Sequence, residues 1–257
     1  MQTHYAAIYL SPHLDDAALS CGGQIFQQTN AGQPVLIVTI TAGDPIITAV
    51  SDYAQSLHAR WELVVDAVAG RRQEDIAASH ILGADWLHWQ VPDCIYRYDP
   101  ETEAALYVSD VDIFGPVHRA EINLVEQLAH QMARLPLHER LFAPLTLGHH
   151  VDHQLTRQAA ELCFGTQPLL YYEDYPYAEQ PGSLQAIIEA VQGDWYPEEI
   201  ALSEAAVQAK IAAIAAFKSQ LSTFFDNRPH LAQRIRDFTA TVGGERIWRQ
   251  RTKPPTS

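Results

Sequence analysis

Cysteine, basic residues and long apolar runs are all scarce in this chain. Three cysteines (Cys21, Cys94 and Cys163) among 257 residues form no close pair. Neither a disulfide framework nor a cysteine-built structural zinc site is therefore expected, and buried free thiols in a reducing compartment suit the count better. Lys and Arg number 17 against 31 Asp and Glu, a net charge of −14. Nucleic-acid affinity rests on basic patches, so this deficit argues against a nucleic-acid partner. No apolar run approaches the roughly 20 residues needed to cross a bilayer. Met1 to Leu10 also lacks the basic-then-apolar plan of a secretory signal. There is no internal repeat, low-complexity tract or Ser/Gly linker. The expectation is a soluble, cytoplasmic chain of one domain without a membrane span.

What is present reads as alternating strands and helices. Tyr5 to Leu10 and Val35 to Thr41 are short, nearly continuous apolar runs, the pattern of strands buried on both faces of a parallel sheet. Between them, Ala17 to Gln28 reads as a helix stopped by Asn30-Ala31-Gly32. Gly22-Gly23 inside it costs roughly 1 kcal/mol per glycine against alanine, which suggests close helix–sheet packing there. Further helices are expected over 54–69 and 74–82, the latter ending at Gly83, with a third strand over 86–89. Residues 94–118 break the rhythm and read as a hairpin or long loop, a kind of segment that is often functional. Then come an amphipathic helix over 119–134 (Ile122, Val125, Ala129 and Met132 on one face), a strand over 140–143, a helix over 152–163 and a strand over 169–172. Beyond a loop at 175–182, residues 195–202 suggest an edge strand, and Ser203 can cap one long helix reaching about Phe225. Residues 251–257 read as a frayed tail. The fold class is α/β: a Rossmann-like, mostly parallel sheet flanked by helices. Its core spans about 1–173, and about 174–257 form an extension of edge strand and long helix that completes the substrate pocket.

Two turns carry the chemistry. Ser11-Pro12-His13-Leu14-Asp15-Asp16 follows the first strand, and Gly148-His149-His150-Val151-Asp152-His153 follows the fourth. Strands of one parallel sheet point the same way, so both turns open on the sheet edge where α/β proteins bind ligands. Either cluster alone is as readily a helix cap that complements the helix dipole. Two of them, spaced H-x-D-D and H-x-D-H, favour a shared ion. His13, Asp16 and His153 would supply two nitrogens and one oxygen, with a fourth position left to water, as in catalytic zinc sites. Similar N/O sets hold iron and other first-row metals, so Zn²⁺ is expected, with Fe²⁺ or another divalent ion as alternatives.

The same residues resemble a known family. Pro12-His13-Leu14-Asp15-Asp16 is similar to the P-H-P-D-D-E signature of the PIG-L/LmbE-like N-acetylglucosaminyl deacetylases, and His150-Val151-Asp152-His153 to their H-P-D-H. Arg71-Arg72-Gln73-Glu74 with Leu82-Gly83, Pro92-Asp93, and Lys210 with Ser219-Gln220 resemble further family segments, so the likeness runs from about Tyr5 to Leu221. Leu14, Ala17 and Val151 stand where the family has proline, glutamate and proline. The resemblance implies His13, Asp16 and His153 as metal ligands and Asp15 as general base. It makes His150, protonated with the help of Asp152, the group facing the developing oxyanion, and Arg71 and Asp93 the holders of sugar hydroxyls. Tyr96, Tyr98, Tyr171, Tyr172, Tyr175 and Tyr177 are candidates for sugar-facing walls, although most such tyrosines are ordinary core or surface residues. The implied activity is removal of an acetyl or other acyl group from a small N-acyl amino sugar or glycoconjugate by metal-activated water. The alternatives are an amidase acting on a non-sugar or thiol-conjugate amide, a magnesium-binding receiver-like signalling domain, and a non-catalytic sugar-binding module. The oligomeric state does not follow from the sequence.

Overall fold

Strands that alternate with helices and show no polar face must be covered on both sides, and that sets the layering. The structure is a computed structural model that describes residues 2–45, 50–60, 67–165, 169–190 and 194–251. In chain order the strands are β1 (His4–Tyr5), β2 (Ala7–Ser11), β3 (Val35–Thr39), β4 (Asp85–His88), β5 (Leu137–His138), β6 (Leu141–Pro144), β7 (Leu169–Tyr172), β8 (Asp194–Ile200) and β9 (Glu245–Arg251). The helices are α1 (Asp16–Asn30), α2 (Asp52–Arg60), α3 (Ala67–Leu82), α4 (Asp110–Ile113), α5 (Ile122–Met132), α6 (Val151–Phe164), α7 (Ser183–Ala190), α8 (Glu204–Ile214), α9 (Lys218–Phe224) and α10 (Arg228–Val242).

One seven-stranded sheet has the order β4-β3-β2-β6-β7-β9-β8. Its first five strands are parallel, and β9 pairs antiparallel with both β7 and β8. Period-two alternation divides the core between its two faces. Ile8, Leu10, Leu36 and Val38 pack with Leu128, Met132, Leu155 and Ala159 of α5 and α6. Ala7, Tyr9, Val35 and Ile37 pack with Ala18, Cys21, Ile25, Ala78 and Leu82 of α1 and α3. No described helix is long and apolar enough to cross a membrane.

The expected βα units stand, with corrections. The helix over 54–69 partly falls on 61–66, outside the described residues; α2 and α3 lie on either side. Segment 94–118 is neither a hairpin nor bare loop: it holds a 3₁₀ turn at Cys94–Tyr96, a single antiparallel bridge between Tyr98 and Ala105, and α4. Ile122 is 73% exposed, because residues 119–121 form a 3₁₀ turn and α5 buries Leu128, Ala129 and Met132 instead. The long C-terminal helix is broken. Ser203 does cap α8 through Ala206 N, but the chain turns at Ala215 and resumes as α9. The helix α10 and strand β9 were not expected, and the expected tail beyond Arg251 lies outside the described residues.

Close approach at the two glycines of α1 is to α8 at Gly22, and to the loop before α8 and strand β9 at Gly23. A Cβ on Gly23 would lie 2.4 Å from Leu202 Cδ1, and one on Gly22 3.2 Å from Lys210 Cγ. Beside them Glu245 of β9 accepts from Gly23 N and Gln24 N, both at 2.8 Å, and from Lys210 Nζ at 2.8 Å. Lys210 and Glu245 are each 2% exposed. Their pairing fastens the C-terminal elements to the helix that begins at Asp16.

Candidate metal centre and active-site cleft

The loops after β2, β4, β6 and β7 meet at one end of the sheet, as parallel strand direction requires. Asp15 and Asp16 stand at the start of α1, and Ser11 Oγ accepts from Ala17 N at 3.0 Å to shape the turn. His150 caps α6, its Nδ1 accepting from Asp152 N at 3.2 Å, so His153 falls one turn further along the same helix. Two residues of the preceding loop, Thr146 and His149, have φ of 67° and 58°. Side chains tolerate that left-handed region poorly, and such strain gathers at functional sites.

The distances among these groups are short. Asp16 Oδ2 lies 3.2 Å from His13 Nδ1 and 3.2 Å from His153 Nε2. The second nitrogen of each imidazole is committed elsewhere: His13 Nε2 to Asp152 Oδ2 at 3.0 Å, and His153 Nδ1 to Asp174 Oδ1 at 2.5 Å. A ring that donates its far N–H to a buried carboxylate turns a bare lone pair to the other side, which is how metal-binding histidines are held. Two donors bound to one tetrahedral zinc lie roughly 3.3 Å apart, close to the spacing seen here. One nitrogen each from His13, His150 and His153 also lie within 4.8 Å of one another. The donor set therefore fits a divalent cation.

Burial sets the charges. Asp16 and Asp152 are desolvated, yet the histidines around Asp16, and Arg97 with His13 around Asp152, hold both carboxyls well below the usual range. Asp15 differs. Burial pushes its carboxyl up to about 6 against the pull of Arg71, whose Nη2 is 4.0 Å away. Burial and the neighbouring His13 hold His150 well below its ordinary value.

His13, Asp15, Asp16, Arg71, Asp93 and His150 line a cleft of about 290 Å³, while Asp152 and His153 sit behind it, 1% and 2% exposed. Asp93 Oδ2 is 3.8 Å from Arg71 Nη1 and 3.9 Å from His13 Nε2. Of the six tyrosines singled out, Tyr175 and Tyr177 line the cleft. Tyr172 donates to Leu10 O within the core, and Tyr96 pairs with His58. Ala17 is buried in the apolar cluster under the sheet, so the family glutamate's position does not face the cleft here.

Two expectations change. The Asp152 carboxylate accepts from His13 Nε2, and Asp152 holds His150 by its backbone N–H, which donates to Nδ1. His150 is not poised as a cation: its Nδ1 already accepts a backbone N–H, which leaves Nε2 as the donor of a neutral ring. Sequence reasoning missed Asp174, whose only signal is its place two residues after β7. It also missed Arg97 and Glu121, which carried no signal.

Comparison with known proteins agrees with this geometry. The family model described as "PIG-L: GlcNAc-PI de-N-acetylase" matches residues 8–164. A 2'-N-acetylparomamine deacetylase from Niallia circulans is 27% identical over 239 residues, 87% of this chain and 84% of that protein. Among solved structures, the zinc-inhibited form of teicoplanin deacetylase Orf2 aligns with a TM-score of 0.81 at 26% identity, covering 97% of this chain and 99% of that one. The deacetylase–teicoplanin complex aligns with a TM-score of 0.77 at 27% identity, covering 95% and 96%. With more than half its length matched by the family model and the paired histidine–carboxylate turns in one cleft, the chain belongs to the PIG-L family.

Proposed function

We propose that this protein is a zinc-dependent hydrolase that removes the acetyl group from an N-acetylated amino sugar or glycoconjugate. The observation that carries the reading is the pair of imidazoles, His13 and His153, each 3.2 Å from Asp16 Oδ2 and each backed by a buried carboxylate. His13, Asp16 and His153 hold the cation in this reading, and when bound it lowers the pKa of water and polarises the amide carbonyl. Asp15 sits next to a ligand without being one. Its carboxyl takes a proton from the attacking water and returns it to the departing amine. His150, a neutral ring that lines the cleft, donates to the oxygen on which negative charge develops. Arg71 and Asp93, 3.8 Å apart in the lining of the cleft, hold sugar hydroxyls.

The relatives named for deacetylation of 2'-N-acetylparomamine and of teicoplanin support a sugar-bearing substrate. A cleft of about 290 Å³ is at the small end of ligand pockets and suits one sugar unit. Residues after 173 supply Tyr175, Tyr177, Gln220 and Phe224 to its lining. We read the whole chain as one domain in which they complete the pocket. Membership of the PIG-L family sets aside the receiver-like alternative.

The test uses protein stripped with a chelator and reloaded with zinc or iron(II), then screened on N-acetyl amino sugars for released amine. Activity is expected to return with one equivalent of zinc. Asp15→Asn should keep the metal and lose about 10²–10⁴-fold in rate. Full activity in metal-free protein, or in Asp15→Asn, refutes the assignment.

A further inference from the structure

Asp152 is the most enclosed carboxylate of the centre, with a side chain fully out of solvent. A buried aspartate requires its charge matched and both oxygens occupied. Oδ2 accepts from His13 Nε2 at 3.0 Å and from Cys94 N at 3.1 Å, while Oδ1 accepts from Arg97 Nη1 at 2.6 Å. An arginine beside a carboxylate favours a two-pronged fork that takes both oxygens. Here its side-on edge, Nε with Nη2, is held by another carboxylate. Arg97 donates from Nε to Glu121 Oε1 and from Nη2 to Glu121 Oε2 at 3.2 Å. Nη1 is the nitrogen that reaches Asp152, shared between Asp152 Oδ1 and Pro92 O at 3.1 Å. Glu121 is itself 5% exposed and accepts from Tyr107 OH at 2.6 Å, and that hydroxyl accepts from His118 N at 2.9 Å.

We propose that Glu121, acting through Arg97, is a positioning residue for the metal centre. By gripping the Nε/Nη2 edge it fixes the guanidinium so that Nη1 meets Asp152 Oδ1 while Oδ2 stays with His13. The inference rests on the reading of His13 as a metal ligand. It gives segment 94–121 two tasks at once. Ile95, Ile113 and Phe114 line the cleft, and the Arg97–Glu121–Tyr107 chain behind them fixes a ligand's ring.

The test is Glu121→Gln in the full chain, which keeps the size and one acceptor but turns an N–H₂ toward a donor. Zinc affinity, read by competition with a chromophoric chelator, should fall about 10–100-fold. The visible band of the cobalt(II)-loaded protein should shift, and with metal in excess kcat should fall while KM holds. Arg97→Lys, which keeps the charge without the fork, should act in the same direction. Tyr107→Phe removes the hydroxyl that donates to Glu121 and accepts from His118 N, and decides the matter if Glu121→Gln does not fold: a shifted cobalt band and weaker zinc binding are expected. Wild-type zinc affinity and an unmoved cobalt band, in Glu121→Gln or in its stand-in, overturn the inference even if the melting temperature drops. His13→Ala separates the two levels. If it loses zinc while those variants do not, the inference alone fails; if it keeps zinc, the ligand assignment falls as well.

Discussion

Replacing Asp174 by asparagine isolates the contribution of one buried oxygen to the centre. Asp174 is 1% exposed; Oδ1 accepts from His153 Nδ1 at 2.5 Å, and Oδ2 accepts from Leu147 N at 3.1 Å. An amide of the same shape has one acceptor for these two donors. If its oxygen stays with Leu147, its N–H₂ faces His153 Nδ1, and the ring must move its proton to Nε2, the nitrogen needed for the metal. If the oxygen stays with His153, the N–H₂ meets the Leu147 N–H and a buried donor goes unmatched. Either arrangement costs about 1–3 kcal/mol, roughly a 5- to 150-fold loss of metal affinity. Competition of zinc against a chelator dye reads that loss directly, and activity at saturating zinc shows how much is recoverable. Asp174→Asn that binds zinc within twofold of the parent, at full kcat, would refute the argument that this carboxylate sets the tautomer of His153.

Lys210→Met leaves Glu245 buried with only its backbone donors, Gly23 N and Gln24 N. Breaking such a pair should cost about 3 kcal/mol in urea unfolding, and Lys210→Met with Glu245→Gln should recover part of it. An unchanged midpoint would show that the pair is dispensable. Gly148→Ala puts a Cβ 2.5 Å from the Tyr177 ring, which lines the cleft. Overpacking there should cost about 1–3 kcal/mol and raise KM while metal content stays constant; an unchanged KM would mean that the Tyr177 wall does not touch substrate.

The parallel core and the meeting of the two histidine–carboxylate turns were legible because their signals are local. Ala7–Ser11 and Val35–Thr39 are buried throughout, and burial on both faces writes a continuous apolar run. His13, Asp16 and His153 sit in turns whose meeting follows from strand direction alone. Partners chosen by three-dimensional packing were not legible. The family resemblance tied Asp152 to His150, whereas its carboxylate accepts from His13. Arg97 and Glu121 meet across 24 residues of a segment without periodicity, and an Arg and a Glu so placed look like any two surface charges. The apolar stripe after Ser203 runs through Ala215 without interruption, yet the helix breaks there, and α9 turns to bring Gln220, Thr223 and Phe224 to the cleft. In that case tertiary packing overrode helical periodicity.

The place of β9 bears on how the chain matures. It follows β8 by more than forty residues, yet lies between β7 and β8 in the sheet. While a ribosome is still making the chain, β8 has no neighbour to join, and β7 offers an open flank until Glu245–Arg251 emerge. The five parallel strands can assemble ahead of them. In the finished sheet β9 is thus an insertion between two earlier strands rather than an addition at the rim, and it carries Glu245 to Lys210.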